Sequence, residues 1–181
     1  MKRANKMVVC RLALTVHKVA PIMTLSIALT AAIRIVLVLL FLPFSALDKL
    51  LNFRGAVSQA REVAPNNTLA VCLIAAGLGV EVFMSLGVVT GVADRICAFV
   101  LAGYCGVTAL LWKQFWKPGD FWSSNTGQGR ALFWDFLKNF ALGAGFLLIT
   151  FGTNASSVGR FLAHPEVSSH PYQVMVEPDR K

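Results

Sequence analysis

The chain has 181 residues, of which 56% are hydrophobic and only 14% charged, against roughly 25% charged in a soluble domain. With a mean hydropathy of +0.63, this excludes a soluble globular, a disordered or a fibrous protein. The net charge of +8 reads as Lys and Arg flanking membrane spans and facing anionic headgroups. No basic run is interleaved with a folded polar domain, so no nucleic-acid partner is expected.

Residues 1–23 begin with Lys2, Arg3 and Lys6 and continue as MVVCRLALTV. Arg11 interrupts that apolar run, and His17, Lys18 and Pro21 follow without a small-residue cleavage site. We read this basic amphipathic segment as a retained helix on the inner membrane surface.

Four apolar segments follow, at about 24–46, 68–91, 94–116 and 132–153, each near the ~20 residues that cross a bilayer. Backbone groups in hydrocarbon must be satisfied within the segment, which a helix does. The alternation of a membrane β-strand is missing. The expected fold is therefore all-α: an integral membrane four-helix bundle, residues 24–153, with an N-terminal interfacial helix. Residues 154–181 carry Pro, Ser and His without periodicity and are expected to form a loosely ordered polar tail.

Five basic residues before the first span (Lys2, Arg3, Lys6, Arg11, Lys18) place the N-terminus in the cytoplasm. Four spans return the C-terminus to the same side. The opposite loops also carry Lys49, Arg54, Arg61, Lys113, Lys117 and Arg130.

Span two contains Gly77, Gly79 and a G-x-x-x-G at Gly87 and Gly91. Small residues let membrane helices approach closely. Packing inside one bundle is the preferred reading over dimerisation, and an oligomer stays open. Pro43 is expected to kink span one. His17, His164 and His170 all fall outside the spans, so intramembrane bis-His haem ligation by this chain alone is not expected, nor is a metal site. Cys10, Cys72, Cys97 and Cys105 form no C-x-x-C and read as small hydrophobes.

The informative residues are ionisable ones within the spans, which by default mark paired or functional positions. Arg34 lies ten residues into span one, Glu81 in span two, and Asp135 and Lys138 open span four. Asp48 and Lys49 lie just past span one. Counting about 1.5 Å per residue gives Arg34 and Glu81 depths compatible with an ion pair. Thr30, Arg34, Ser45, Asp48 and Lys49 share one direction if the first helix stays regular. Gly77, Glu81 and Ser85 align in span two, and Asp135, Lys138, Asn139 and Leu142 in span four.

Two readings follow. One is a structural ion-pair network that fixes helix register. The other is an outward-opening polar pocket for a small anion or a quinone head, with Arg34, Lys49 and Lys138 as cations and Glu81 or Asp135 as proton carrier. All four Trp (Trp112, Trp116, Trp122, Trp134) and Phe115, Phe121, Phe133 and Phe136 cluster around the last loop. They fit an interfacial belt or, alternatively, a lid over a hydrophobic ligand.

The stretches RIVLVLLFLPFSALDKL, GVEVFMSLGVVTGVADRICA and FWDFLKNFALGAGFLLI together resemble the DoxX family of small bacterial four-helix membrane proteins. The resemblance covers roughly residues 30–152. Arg34, Lys49, Glu81, Lys138 and Asn139 would occupy the family's motif positions. Ser45, Ala46, Leu47 and Asp48 stand where the family usually has a small residue and Gly before the Lys. The resemblance implies a subunit of a redox or quinone-linked complex in the bacterial cytoplasmic membrane, working with partner redox proteins in thiol, sulfur or oxidative-stress metabolism. It implies quinone as the cofactor and none bound covalently. The candidate site is then Arg34, Lys49, Glu81, Asp135, Lys138 and Asn139. The alternatives are an assembly protein without chemistry and a small transporter using Glu81 as a proton-coupled site.

Overall fold

The computed structural model describes residues 24–122 and 127–173. Regular structure among them is entirely helical: α1 (Thr24–Leu51), α2 (Phe53–Ala60), α3 (Asn67–Thr90), α4 (Asp94–Trp112), α5 (Gln128–Phe151) and α6 (Ala155–Ala163). The four helices α1, α3, α4 and α5 are long and apolar enough to cross a membrane, as the fold reading required. The expected interfacial helix of residues 1–23 lies outside the described residues.

α1 is interrupted by a wide π-type turn, Leu40–Ser45, in which Leu42 is extended (φ −123°, ψ 109°). The cause is local. A residue before proline is pushed out of the helical region, and Pro43 has no N–H to donate. The expected kink is therefore present, and it changes which side chains share a face. Arg34 is buried at one end of the bundle, Ser45 and Lys49 turn inward at the other, and Asp48 is exposed. The single polar stripe expected for a regular helix is thus split in two.

α3 begins at Asn66, whose side chain accepts hydrogen bonds from the Thr68 and Leu69 amides at 2.9 and 3.3 Å. A second π-type turn, Val80–Met84, carries the buried Glu81. The helix stops at Gly91, which takes φ +78°, a conformation that glycine adopts without steric cost. A Cβ on Gly87 would stand 2.3 Å from the Cys97 Sγ of α4. The G-x-x-x-G is therefore used within the bundle: Gly87 lets α4 approach, and Gly91 ends α3.

The core runs through Val38 and Phe41 of α1, Val88 of α3, Ala98, Leu101 and Cys105 of α4, and Phe146 of α5. The Phe41 ring meets Tyr104 at 6.0 Å and Phe146 at 5.9 Å. Leu25, Ile33, Val36 and Leu50 remain exposed, the surface a bilayer would cover. α2 is short and amphipathic, and its Val57 and Ala60 pack on Ala70 and Ile74 of α3.

The bundle thus has two ends. At the loop end, Phe115 packs its ring against Trp116, Phe121, Phe133 and Phe136. At the tail end the structure corrects the expectation of a loose tail. Residues 155–163 form α6, with Phe161 buried against Phe99 and Phe151. The Arg95 guanidinium lies 5.4 Å above the Phe161 ring and donates to the Thr150 and Ser157 carbonyls at 2.8 and 2.5 Å. This short helix is amphipathic, and its apolar face, which the sequence reading passed over, is held by these tertiary partners.

Candidate functional site

Three groups of charges mark the bundle, and the structure separates them by depth. At the tail end, Arg34 Nη2 lies 2.7 Å from Asp94 Oδ2, with both side chains buried. Arg34 Nη1 donates to the Val88 carbonyl at 2.8 Å. Ser169 closes the group: it accepts from Arg34 at 3.0 Å and donates its hydroxyl and amide to Asp94 at 2.5 and 2.8 Å. Ser168 donates to the Gly91 carbonyl at 2.7 Å, and the Tyr172 hydroxyl donates to the Val89 carbonyl.

The Arg34–Glu81 pair admitted by depth counting is therefore not formed. Arg34 reaches Val88, which lies seven residues, or about 10 Å, past Glu81 along α3. Counting from helix ends assumed that α1 and α3 end level with one another. In fact Arg34 is ten residues into α1, whereas Val88 is two from the end of α3. α1 overhangs the bundle at the tail end, which brings Arg34 level with the start of α4.

Glu81 takes a different cation. Its Oε1 accepts from Lys49 at 2.6 Å, from Ser45 at 2.9 Å and from the Tyr104 hydroxyl at 2.9 Å. Lys49 also donates to Ser45 Oγ at 2.7 Å. Local structure explains each position. The π-type turn in α1 swings Ser45 and Lys49 inward, and the one in α3 presents Glu81. Gly77 leaves the notch in which Tyr104 sits, since a Cβ there would be 3.1 Å from the Tyr104 hydroxyl. Glu81 Oε2 is buried and has no hydrogen-bond partner among the described residues.

Toward the loop end, Asp135 bridges Lys113 at 3.2 Å and Lys138 at 3.4 Å. Asn139 donates to the Asp135 carbonyl at 2.9 Å. These residues and the Glu81 cluster line one cavity of about 680 Å³, within the usual range of small-molecule sites. Its walls are mostly apolar, including Leu40, Leu73 and Val107. Of the six candidate residues, Lys49, Glu81, Asp135, Lys138 and Asn139 line this cavity, and Arg34 does not. The arrangement offers a polar floor deep in the bundle, apolar walls, and a mouth with two lysines against one carboxylate.

The sequence reading missed Asp94, Arg95, Tyr104 and Ser169. An Asp-Arg dipeptide opening an apolar span was a usable signal, because both residues would have to be satisfied within the bundle. Tyr104 gave no comparable signal, since a tyrosine in a span is ordinary.

Fold and site together define the class: a multi-pass α-helical membrane protein with ion pairs buried in its bundle and a cavity between its helices. The comparison with protein families is more specific. The DoxX family profile matches residues 29–114, which shows the DoxX resemblance over that stretch. The matched region contains Arg34, Lys49, Glu81, Asp94 and Tyr104, while α5, with Asp135, Lys138 and Asn139, lies beyond it. No curated protein and no solved structure matched the chain.

Proposed function

We propose that this chain is the membrane subunit of a redox complex and that its cavity holds the head of a quinone. The observation that carries the reading is the Lys49–Glu81–Tyr104 cluster at the floor of an otherwise apolar cavity. Glu81 lies about 21 Å from the loop end of α3 and about 14 Å from its tail end, which is membrane depth. A polar head with an apolar tail fits such a site. Leu40, Leu73 and Val107 are cavity walls that are also exposed, leaving room for that tail at the level of the acyl chains. Lys113, Asp135 and Lys138 form the mouth.

The DoxX resemblance supports a bacterial cytoplasmic membrane setting, partner redox proteins, and a role in thiol, sulfur or oxidative-stress metabolism. The Arg34–Asp94 group favours a structural role for itself. Its polar atoms are taken up by Val88 and Ser169, and it lies apart from the cavity.

The test is purification in mild detergent followed by extraction and quantification of quinone. The wild-type protein is expected to retain quinone through purification. The double variant Lys49→Met/Glu81→Leu removes both charges together and leaves neither unpaired, a change that buried ion pairs often tolerate. It is expected to fold and to lose the quinone. Absence of quinone from the wild type, or its retention by the folded double variant, would overturn the reading.

A further inference from the structure

The polar floor of the cavity has an uneven hydrogen-bond inventory. The Ser45 hydroxyl donates to Glu81 Oε1, and so does the Tyr104 hydroxyl. Of the three protons on the Lys49 ammonium, one goes to Glu81 and one to Ser45. One Lys49 proton therefore remains as the cluster's spare donor. The spare acceptors are more numerous. Glu81 Oε2 is buried without a partner, the Tyr104 oxygen retains lone pairs, and Ser45 Oγ keeps one beyond the bond it accepts from Lys49. A carboxylate held 2.6 Å from an ammonium has only lone pairs to offer at its second oxygen.

We infer that the cavity selects the reduced, hydroxyl-bearing form of its ligand, a hydroquinone, over the oxidised quinone. The inference rests on the reading of the cavity as a quinone site. A quinone carbonyl only accepts, so beside this cluster it finds one donor and several lone pairs that repel it. A hydroquinone hydroxyl donates to Glu81 and accepts from Lys49 in the same position. A hydrogen bond to a charged acceptor is among the stronger ones, and a buried polar atom left unpaired is penalised. Both terms act in the same direction, so the preference is expected to be at least about tenfold.

The same reasoning makes Glu81→Gln a reversing change rather than a simple loss. A glutamine can keep its carbonyl oxygen on Lys49, Ser45 and Tyr104. Its amide then places a donor where Oε2 stood, and a quinone carbonyl can accept from it.

The experiment is a calorimetric titration of the full chain in nanodiscs, against empty nanodiscs, with decylubiquinone and, under anaerobic conditions, decylubiquinol. A third probe is the O-methylated hydroquinone, which keeps the ring oxygens and cannot donate. The expected result is wild-type binding of the quinol at least about tenfold tighter than the quinone, with the methyl ether as weak as the quinone. Glu81→Gln should narrow or invert the ratio. Should that variant fail to fold, the methyl ether decides the same point on the wild type. Equal affinity for the two redox forms, or tighter binding of the quinone, overturns this inference and leaves the quinone site standing. Binding of neither form overturns the quinone-site reading, and this inference with it.

Discussion

Arg34 and Asp94 lie 2.7 Å apart with side chains 8% and 0% exposed, whereas Lys138 is 75% exposed beside Asp135. The same kind of pair therefore does different work at the two places. A charge left alone in the bundle loses its partner and finds no solvent, at a cost of about 3–5 kcal/mol. An exposed pair contributes about 0–1 kcal/mol, because water and ions screen it. Asp94→Ala is accordingly expected to lower stability in detergent by about 3–5 kcal/mol. Lys138→Ala should lower it by less than about 1 kcal/mol. Pairing Asp94→Leu with Arg34→Met should recover much of the first loss, since no unpaired charge then remains. Chemical unfolding in mixed micelles measures all three. Equal losses from Asp94→Ala and Lys138→Ala would show that burial does not set these energies.

At the scale of elements, the segment after α5 acts as a strap. α6 is held by Arg95 and by the Phe99, Phe151 and Phe161 rings. The chain beyond it returns to place Ser169 on the Arg34–Asp94 pair. Hydrogen bonds to charged groups contribute about 1.5–3 kcal/mol, so Ser169→Ala is expected to destabilise by that amount. Truncation after Ala163 should cost at least as much, and Ser168→Ala, which loses a bond to the neutral Gly91 carbonyl, should cost less than Ser169→Ala. Thermal unfolding in one detergent compares them, and no loss on truncation would show the strap to be passive. The docking of α6 was not legible in the sequence, because Arg95 and Phe99 of α4 lie far along the chain, although the helix itself is amphipathic. The four spans were legible, since an apolar run of about 20 residues has few alternatives in a membrane. Lys49, Glu81, Asp135, Lys138 and Asn139 could be gathered from spacing. Their pairing could not, because two π-type turns change the helical phase at Leu40–Ser45 and Val80–Met84. Pro43 announced the first turn, and no comparable residue announced the second.

The whole molecule is polar at two ends of different character, and its orientation follows from how charge is divided between them. Among the described residues, the chain enters α1 at the tail end, and α6 lies there after α5, so the first span begins and the fourth ends on one side. In the sequence, Lys2, Arg3, Lys6, Arg11 and Lys18 precede α1, and Arg160, Arg180 and Lys181 follow α5. The loop end carries Arg54, Arg61, Lys117 and Arg130 outside the cavity, and Lys113 at its mouth. Cytoplasmic loops carry the excess of Lys and Arg, and the first span usually dominates. The tail end is therefore expected to be cytoplasmic and the cavity mouth, with Lys113 and Lys138, to face the opposite side. The margin is small, so orientation should respond to a modest change of charge. A fluorescent protein fused after Lys181 is expected to mature, and alkaline phosphatase fused there to stay inactive. Phosphatase inserted between Pro118 and Gly119 should be active. Replacing Lys2, Arg3, Lys6, Arg11 and Lys18 by Gln reverses the balance between the two ends and should raise the fraction of inverted chains. Active phosphatase at the C-terminus of the unaltered chain would place the mouth in the cytoplasm, and the positive-inside assignment would fail.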